Sequence, residues 1–505
     1  MVYDVLISGA GPAGIMAANL LGKAGMKVAI FDKRDTIFPL PRAAVIDDDI
    51  ARIFQHAGLE NPLKEITSVS KGYQFLNQAD EVMFGFVRDH QPSVHGYATS
   101  FCIRQPEVEH ILRQGVARYD NVELFMGHEV VRVEQNEEEA TLTVKQNHSE
   151  TLQTFKGQYV IAAEGARSTI RKQLNGTLEN LNFDHPWLIV DFEVTGDTTL
   201  QKSNLQYCQP DRPVTFLYLG RNLYRFEIML KPDEEIAHYE SEENVLQLMS
   251  ELMNVDGVKI ERFVTYTFHA LIAEKWQIGR TFLVGDTAHQ MPPFLGQGLS
   301  SGIRDAANIA WKLIAVVQNG ANESLLQTYH EERHPHVYKI MQQAIILGSI
   351  IQAPSKELAT FRDNIFKYLN SVPNVKEALQ NIERSKSPVG KGFHHESLQQ
   401  PHCLYAPQFS VGENRLDELI NRQFSLVVHP QVNRAELQRK YPTLQVISLE
   451  VTEPVLQWFD EYNATIALVR PDAYVYAFAT ETTIEQIVED VQKIMPIEIK
   501  RGVRL

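Results

Sequence analysis

The sequence predicts an α/β protein. It has a Rossmann-like dinucleotide-binding domain, an inserted strand-rich segment forming a mixed sheet, and a small C-terminal α/β layer. Three observations predict this. A glycine-rich turn, GAGPAG at Gly9 to Gly14, stands between an apolar strand and an alanine-rich helix. A second glycine-rich run, GDTAHQMPPFLGQGLSSG from Gly285 to Gly302, again follows an apolar strand and precedes a helix. Between the two runs, and again after them, short alternating apolar segments replace the helical period.

The opening element has the context that gives its motif meaning. Tyr3 to Ser8 reads as a strand, Ile15 to Lys23 as a helix, and Lys27 to Phe31 as a second strand. Gly9 permits the tight turn, Gly11 lets a pyrophosphate approach the backbone, and Gly14 lets helix and strand pack closely. Pro12 and Ala13 complete that turn, and the helix start presents free N–H groups and a positive dipole end to phosphate. Asp32 ends the second strand where a carboxylate accepts ribose hydroxyls, with Lys33 beside it. This motif alone leaves FAD and NAD equally open.

The downstream run makes the distinction. Thr281 to Val284 reads as a buried strand ending at Gly285-Asp286, which brings the Asp286 carboxylate to a strand tip within reach of a ribityl hydroxyl. Pro292, Pro293, Gly296 and Gly298 make a rigid loop that a ring can approach, and Leu299 opens a helix to about Val317. Its N-terminus favours negative charge on a reduced isoalloxazine. Two such ends point to one extended flavin dinucleotide, FAD. Arg304 and Asp305 fit either a solvated helix face or the site, and His289 either a structural histidine or a shaping residue.

These motifs, with PRAAVIDDD at Pro41 to Asp49, IRQPEVEHIL at Ile103 to Leu112, NFDHPWLIVD at Asn182 to Asp191 and LVRPDAYVYA at Leu468 to Ala477, resemble the single-component aromatic flavoprotein hydroxylases of the para-hydroxybenzoate hydroxylase class. The 3-(3-hydroxyphenyl)propionate hydroxylase group is the most similar, along essentially the whole chain. The resemblance implies that Arg42 and Gln105 contact FAD, that Asp286 holds its ribityl chain, and that Pro293 and the Gly296 to Gly298 loop line the ring. Two positions depart from the family pattern: Asp32 replaces a glutamate, and Glu164-Gly165 replaces an Asp-Gly that serves flavin and nicotinamide binding. The resemblance also implies a thioredoxin-like C-terminal domain without redox cysteines, read as structural or as the contact of a homodimer.

The chemistry implied is NADH- or NADPH-driven oxygen activation through a C4a-hydroperoxyflavin, which attacks an electron-rich, deprotonated phenol. A protein doing this binds a small phenolic substrate and O2, helps remove the phenolic proton and excludes water. Candidates in the inserted sheet are His269, Tyr218, Arg225 and Tyr266, with Arg212 or Arg225 as a carboxylate clamp. Larger polycyclic substrates, or a non-catalytic flavin-binding role in assembly, stay open at this stage.

Composition agrees with a globular enzyme of roughly three domains. The chain has 505 residues, 44% hydrophobic and 22% charged, with a net charge of −15. That charge argues against nucleic acid or an anionic membrane as partner. No targeting segment or bilayer-length apolar run is evident, so a cytoplasmic location is the default expectation. Cys102, Cys208 and Cys403 are too scattered for a disulfide framework or a metal site. The expected division is a first FAD-binding part over 1–181, with pocket segments near 70–100; a substrate sheet over 182–274; the second FAD-binding part and helices over 275–390; and the C-terminal domain over 391–505. Val122 to Gln135 reads as one strand, Asp233 to Glu243 as a solvated acidic face, and Arg470-Pro471-Asp472 as a turn.

Overall fold

The computed structural model describes residues 2–37, 43–87, 91–195, 200–380, 390–395, 404–420 and 423–497. Arg42 and Cys403 lie outside the described residues.

The strand Val2–Ser8 sits inside an eight-stranded sheet. It pairs in parallel with Val28–Asp32 on one side and with Leu152–Ala162 on the other, and Thr281–Leu283 continues the sheet beyond Leu152–Ala162. Val5, Leu6, Ile7, Val28, Ile30, Val160 and Ile161 are fully buried, the near-continuous apolar reading of parallel strands covered on both faces. The helices Pro12–Lys23 and Gly298–Asn319 pack on each other. The strand expected over Val122 to Gln135 is two, Val122–Met126 and His128–Gln135, broken at Gly127. Gly127 has φ 67° and a Cβ there would lie 2.3 Å from Asp35 Oδ1, so the chain must bend at this point.

The second sheet is mixed, also of eight strands. Its centre is the long antiparallel pair Leu178–Val194 and Val258–Ala273, followed by Leu223–Met229, Val214–Gly220 and Asn204–Tyr207. The early hairpin Gly72–Leu76 and Val82–Val87 adds to its far edge through a parallel pairing with Asn204–Tyr207. Alternation gives the sheet two different faces. Leu188, Val190, Phe192, Phe216, Tyr224 and Phe226 look outward and are covered by the helix Glu242–Ser250. Trp187, Ile189, Val264, Tyr266 and Phe268 look inward and join the core of the dinucleotide-binding domain. The acidic stretch before the covering helix is not simply solvated: Glu234 accepts two bonds from Arg212 and one from Tyr239 Oη.

The C-terminal domain has the thioredoxin-like order. Ser425–Val428 runs parallel to Gln445–Ser448 and antiparallel to Ile466–Val469, which pairs with Val475–Ala479. The helix Arg434–Lys440 makes the crossover between the parallel pair. Its core takes in Trp311 and Ala315 of the long helix. Arg470 is more than a turn residue. It is fully buried, and its Nη1 and Nη2 donate to Glu332 Oε1 and Oε2 at 2.9 and 3.0 Å, while Lys312 Nζ lies 3.0 Å from the same carboxylate. A second buried anchor runs from Arg52 to Asp417, with bonds of 2.6 Å from Nε and Nη2.

Candidate active site

The first glycine turn is built for a close-approaching anion. Gly9 has φ 104°, and a Cβ there would lie 2.3 Å from the Ala163 carbonyl oxygen; one on Gly14 would lie 2.0 Å from the Gly9 oxygen. At Gly11 the corresponding position has no heavy atom within 4 Å, so this side of the turn is open. The helix Pro12–Lys23 starts there without a side-chain cap, leaving its first N–H groups directed at that space. Both Asp32 oxygens accept backbone bonds, from Ala10 N and Arg34 N at 2.9 Å each, which fixes the carboxylate at the strand tip beside the turn. Lys33 next to it is exposed.

The second glycine run meets the first. A Cβ on Gly302 would lie 3.2 Å from Gly285 Cα and 3.3 Å from Ala13 Cβ, so these small residues let the two motifs touch. Gly285 N donates to Asp305 Oδ2 at 3.1 Å, and Asp286 follows on a short 3-10 turn. Asp305 is a hub, not a solvated residue: it also takes His289 Nε2 at 2.7 Å and Arg333 Nε at 2.8 Å. Burial works to raise its pKa, but Arg333 and His289 hold it below the ordinary carboxylate value. His289 is therefore tied to a carboxylate and stacks on Trp276, a structural placement.

Glu164 uses its additional methylene to cap a helix. Its Oε2 accepts from Ser168 Oγ and from Ile170 N at 3.0 Å, at the start of Thr169–Gln173. Burial pushes its carboxyl up, against the pull of those bonds. Gly165 N donates to Thr287 Oγ1 at 2.9 Å, joining this turn to the second glycine run.

The loop before the long helix turns at Gly296, φ 63°, and Gly298 then opens the helix without a side-chain cap. Leu299, in its first turn, packs partly into the core. Arg304, one face further on, organises the loop. Its Nη1 donates to Gln297 Oε1, its Nε and Nη2 to Asp49, and its Nη2 also to Asp47 Oδ2. Gln297 Nε2 donates to the same Asp47 oxygen at 2.7 Å. The Asp run of the PRAAVIDDD motif thus clamps the loop. Gln105 Oε1 accepts from Ala43 N at 2.9 Å and positions the other end of that motif.

Pro293 begins the turn that carries Phe294 into the second sheet. The Phe294 ring meets Trp187 at 5.6 Å, Phe183 at 5.8 Å and Phe268 at 6.4 Å between centroids, all edge to face. Further along the same inner face lies a buried charge cluster. Arg225 Nε and Nη2 donate to Asp191 at 2.6 and 3.1 Å, and Arg262 Nε donates to Asp191 at 2.8 Å. Burial, helped by Asp191, pushes the neighbouring Glu227 carboxyl up against the pull of Arg225.

The candidates from sequence therefore separate. Arg225 and Tyr266 face inward. Tyr218 packs with the outward cluster, its ring 5.4 Å from Tyr224. His269 follows the inward Phe268, so it falls on the opposite face, paired with Asp184 and 38% exposed in its side chain. Arg212 is committed to Glu234. Tyr218, His269 and Arg212 are thus removed from the wall that faces the Pro293 loop. Trp187, Phe268, Phe294, Asp191 and Arg262 escaped sequence reasoning, although PWLIVD carries the alternation that sets Trp187 and Asp191 on one face.

The residues present fit FAD: an open phosphate turn, an uncapped helix start, a fixed carboxylate at one strand tip and a second uncapped helix start over a rigid loop. Family models agree. Residues 2–344 match the FAD binding domain, and residues 412–494 match the HcaD C-terminal domain. The 3-(3-hydroxy-phenyl)propionate/3-hydroxycinnamic acid hydroxylase of Escherichia coli is 30% identical over 98% of this chain and 95% of its own. In fold the chain is similar to the flavin-dependent monooxygenase PieE, solved with FAD and substrate (TM-score 0.82, 19% identity, 98% of this chain and 99% of that one). It is also similar to OxyS anhydrotetracycline hydroxylase from Streptomyces rimosus (TM-score 0.79, 21% identity, the same coverage). The chain belongs to the FAD-dependent aromatic monooxygenases.

Proposed function

We propose that the substrate is a small phenolic acid resembling 3-(3-hydroxyphenyl)propionate, hydroxylated beside its existing hydroxyl with consumption of O2 and NADH or NADPH. The observation carrying this reading is the inward face of the second sheet, where Trp187 and Phe268 meet Phe294 of the Pro293 loop and Arg225 and Arg262 lie further along the same strands. FAD, when bound, supplies the electrons that activate oxygen.

The protein's own part is to bind, orient and exclude water. Trp187, Phe268 and Phe294 present the apolar surface on which a phenyl ring packs and from which water is displaced. Arg225 and Arg262 share the Asp191 carboxylate, with Glu227 Oε1 3.6 Å from Arg225 Nη1, and these two guanidiniums are the cations on this face offered to a substrate carboxylate. Tyr266, on the same face, offers an oxygen to the phenolic O–H. The family's position of nicotinamide engagement is Glu164-Gly165, and FAD contacts extend over Gly9, Gly11, Gly14, Asp32, Gln105 and Asp286. The same reading keeps the division at 181/182, 274/275 and 390/391.

A panel of phenolic acids tests it. Purified holoenzyme is incubated with NADH or NADPH, and nucleotide oxidation and product mass are followed together. A phenolic acid that stimulates oxidation and gains one oxygen supports the reading; stimulation by phenols lacking a carboxylate, with none by the acids, overturns the role given to Arg225 and Arg262.

A further inference from the structure

A surface helix needs one face to hold it to the core, and the helix Lys356–Asn370 has an anchored inner face and an apolar outer one. The inner face ties it to the hairpin at the edge of the second sheet. Ala359 is fully buried, Phe366 stacks on Phe84 at 5.1 Å between centroids, Asn370 Nδ2 donates to the Met83 carbonyl at 2.8 Å, and Arg362 Nη2 donates to the Cys208 carbonyl at 2.8 Å. On the outer face Leu358 is 51% exposed, Phe361 63%, Ile365 42% and Tyr368 71%, and Val372, just past the helix, is 37% exposed. The spacing alternates three and four residues, so the four helical side chains fall within an arc of about 80° and form one stripe, the pattern of a seam between helices. Side chains of these sizes, exposed to these fractions, leave on the order of 500 Å² of contiguous apolar surface, which on a soluble protein marks a contact site.

We propose that this stripe is the contact between two copies of the chain, paired antiparallel about a two-fold axis. The stripe is complementary to itself. An axis level with Asp363 sets Leu358 against the partner's Tyr368 and Phe361 against the partner's Ile365, a larger ring opposite a smaller aliphatic chain at each level. The same operation brings Glu357 and the partner's Lys367 to one flank, opposite in charge. Two stripes together bury about 1,000 Å², the lower bound for a specific interface, so the dimer forms and dissociates with concentration. A lipid surface fits less well. The polar arc beside the stripe carries Lys356 and Lys367 but also Glu357, and the chain has a net charge of −15, whereas a helix that lies on an anionic membrane is rich in cations.

Sedimentation velocity of the holoenzyme between about 1 and 100 µM reads the association directly. The wild type is expected to pass from monomer toward dimer across this range. The double variant Phe361→Ser, Tyr368→Ser should associate at least about tenfold more weakly, with flavin content and thermal unfolding unchanged because both side chains stand in solvent in the single chain. As a second measurement, Ile365→Cys treated with a short bis-maleimide should yield a covalent dimer beyond the level that the wild type gives through its own cysteines. Should the double variant not fold, the cross-link decides alone. A wild type that stays monomeric throughout, or no cross-link above the wild-type level, overturns the proposal. So does a dimer kept at full strength by the folded double variant, which puts the contact elsewhere, and so does stripe-dependent binding to phosphatidylcholine vesicles without a dimer, which gives the stripe to a lipid surface.

Discussion

Arg304 and Asp49, 255 residues apart, form a two-point ion pair: Nε donates to Oδ2 at 2.6 Å and Nη2 to Oδ1 at 2.9 Å. Although burial opposes the charge, Asp49 and Asp47 hold the Arg304 pKa well above its usual value. Removing the cation from two buried carboxylates costs on the order of 3–5 kcal/mol. Arg304→Met is expected to lower the thermal midpoint and to purify with reduced flavin, because the loop at Gln297 loses its clamp. Arg304→Lys keeps the charge but not the fork and should fall between. Unfolding curves and the flavin-to-protein absorbance ratio measure both; a methionine variant with wild-type values contradicts the clamp.

Asp286 stands one residue after the backbone N–H that Asp305 holds, on the turn where the two glycine motifs meet. Asp286→Ala should leave the fold intact and deplete FAD in the purified protein. Full flavin occupancy would remove Asp286 from the cofactor site.

Glu164 reaches the start of Thr169–Gln173 through its full length. From the family pattern alone, Glu164→Asp should preserve or improve flavin reduction by the nicotinamide. The bonds to Ser168 and Ile170 reverse that expectation, since a side chain shorter by one methylene withdraws the cap, at a cost of about 1 kcal/mol. Stopped-flow reduction should slow and stability should fall slightly. Faster reduction at unchanged stability would show that the cap is dispensable.

Acid sensitivity should begin with histidines. Burial, then repulsion from His330 and His289, holds His334 down to about 4 from an ordinary 6.5. His336 is also depressed, first by burial and then by Arg333 and Arg304. Between the folded and unfolded values the unfolded chain binds more protons, so stability falls as pH drops from 6.5 toward 4. Glu60, held at about 2 against burial by its bonds to Arg415, Lys64 and Tyr97, contributes its loss lower, from 4.5 downward. His334→Gln should flatten the fall in thermal midpoint between pH 6.5 and 5 and leave the lower limb unchanged; equal slopes in both proteins would contradict this.

The two glycine runs were legible because a strand, a tight turn and a helix are each encoded within a few residues. The inserted sheet was legible as strands, but not as faces. Period-two alternation groups Tyr218 with Phe216, and Arg225 with Leu223, without saying which group looks at the cofactor domain. Both faces of this sheet are covered, so hydrophobicity cannot choose between them, and the sequence leaves open which of Tyr218, Arg225, Tyr266 and His269 share a wall. Arg470 shows a different limit. A local reading finds a turn after a strand, whereas its burial comes from Glu332, 138 residues earlier. The salt link of Arg304 to the PRAAVIDDD segment is equally non-local; the motifs were visible, their pairing was not.

The parallel edge between Leu152–Ala162 and Thr281–Leu283 has a consequence for biosynthesis. A ribosome delivers the phosphate turn by Gly14, but the strand and long helix that complete its cradle emerge only after residue 280. Pairings of such sequence separation form slowly. Truncated nascent chains should therefore stay colourless until the second motif has left the exit tunnel, and flavin supply becomes a determinant of how much chain escapes aggregation.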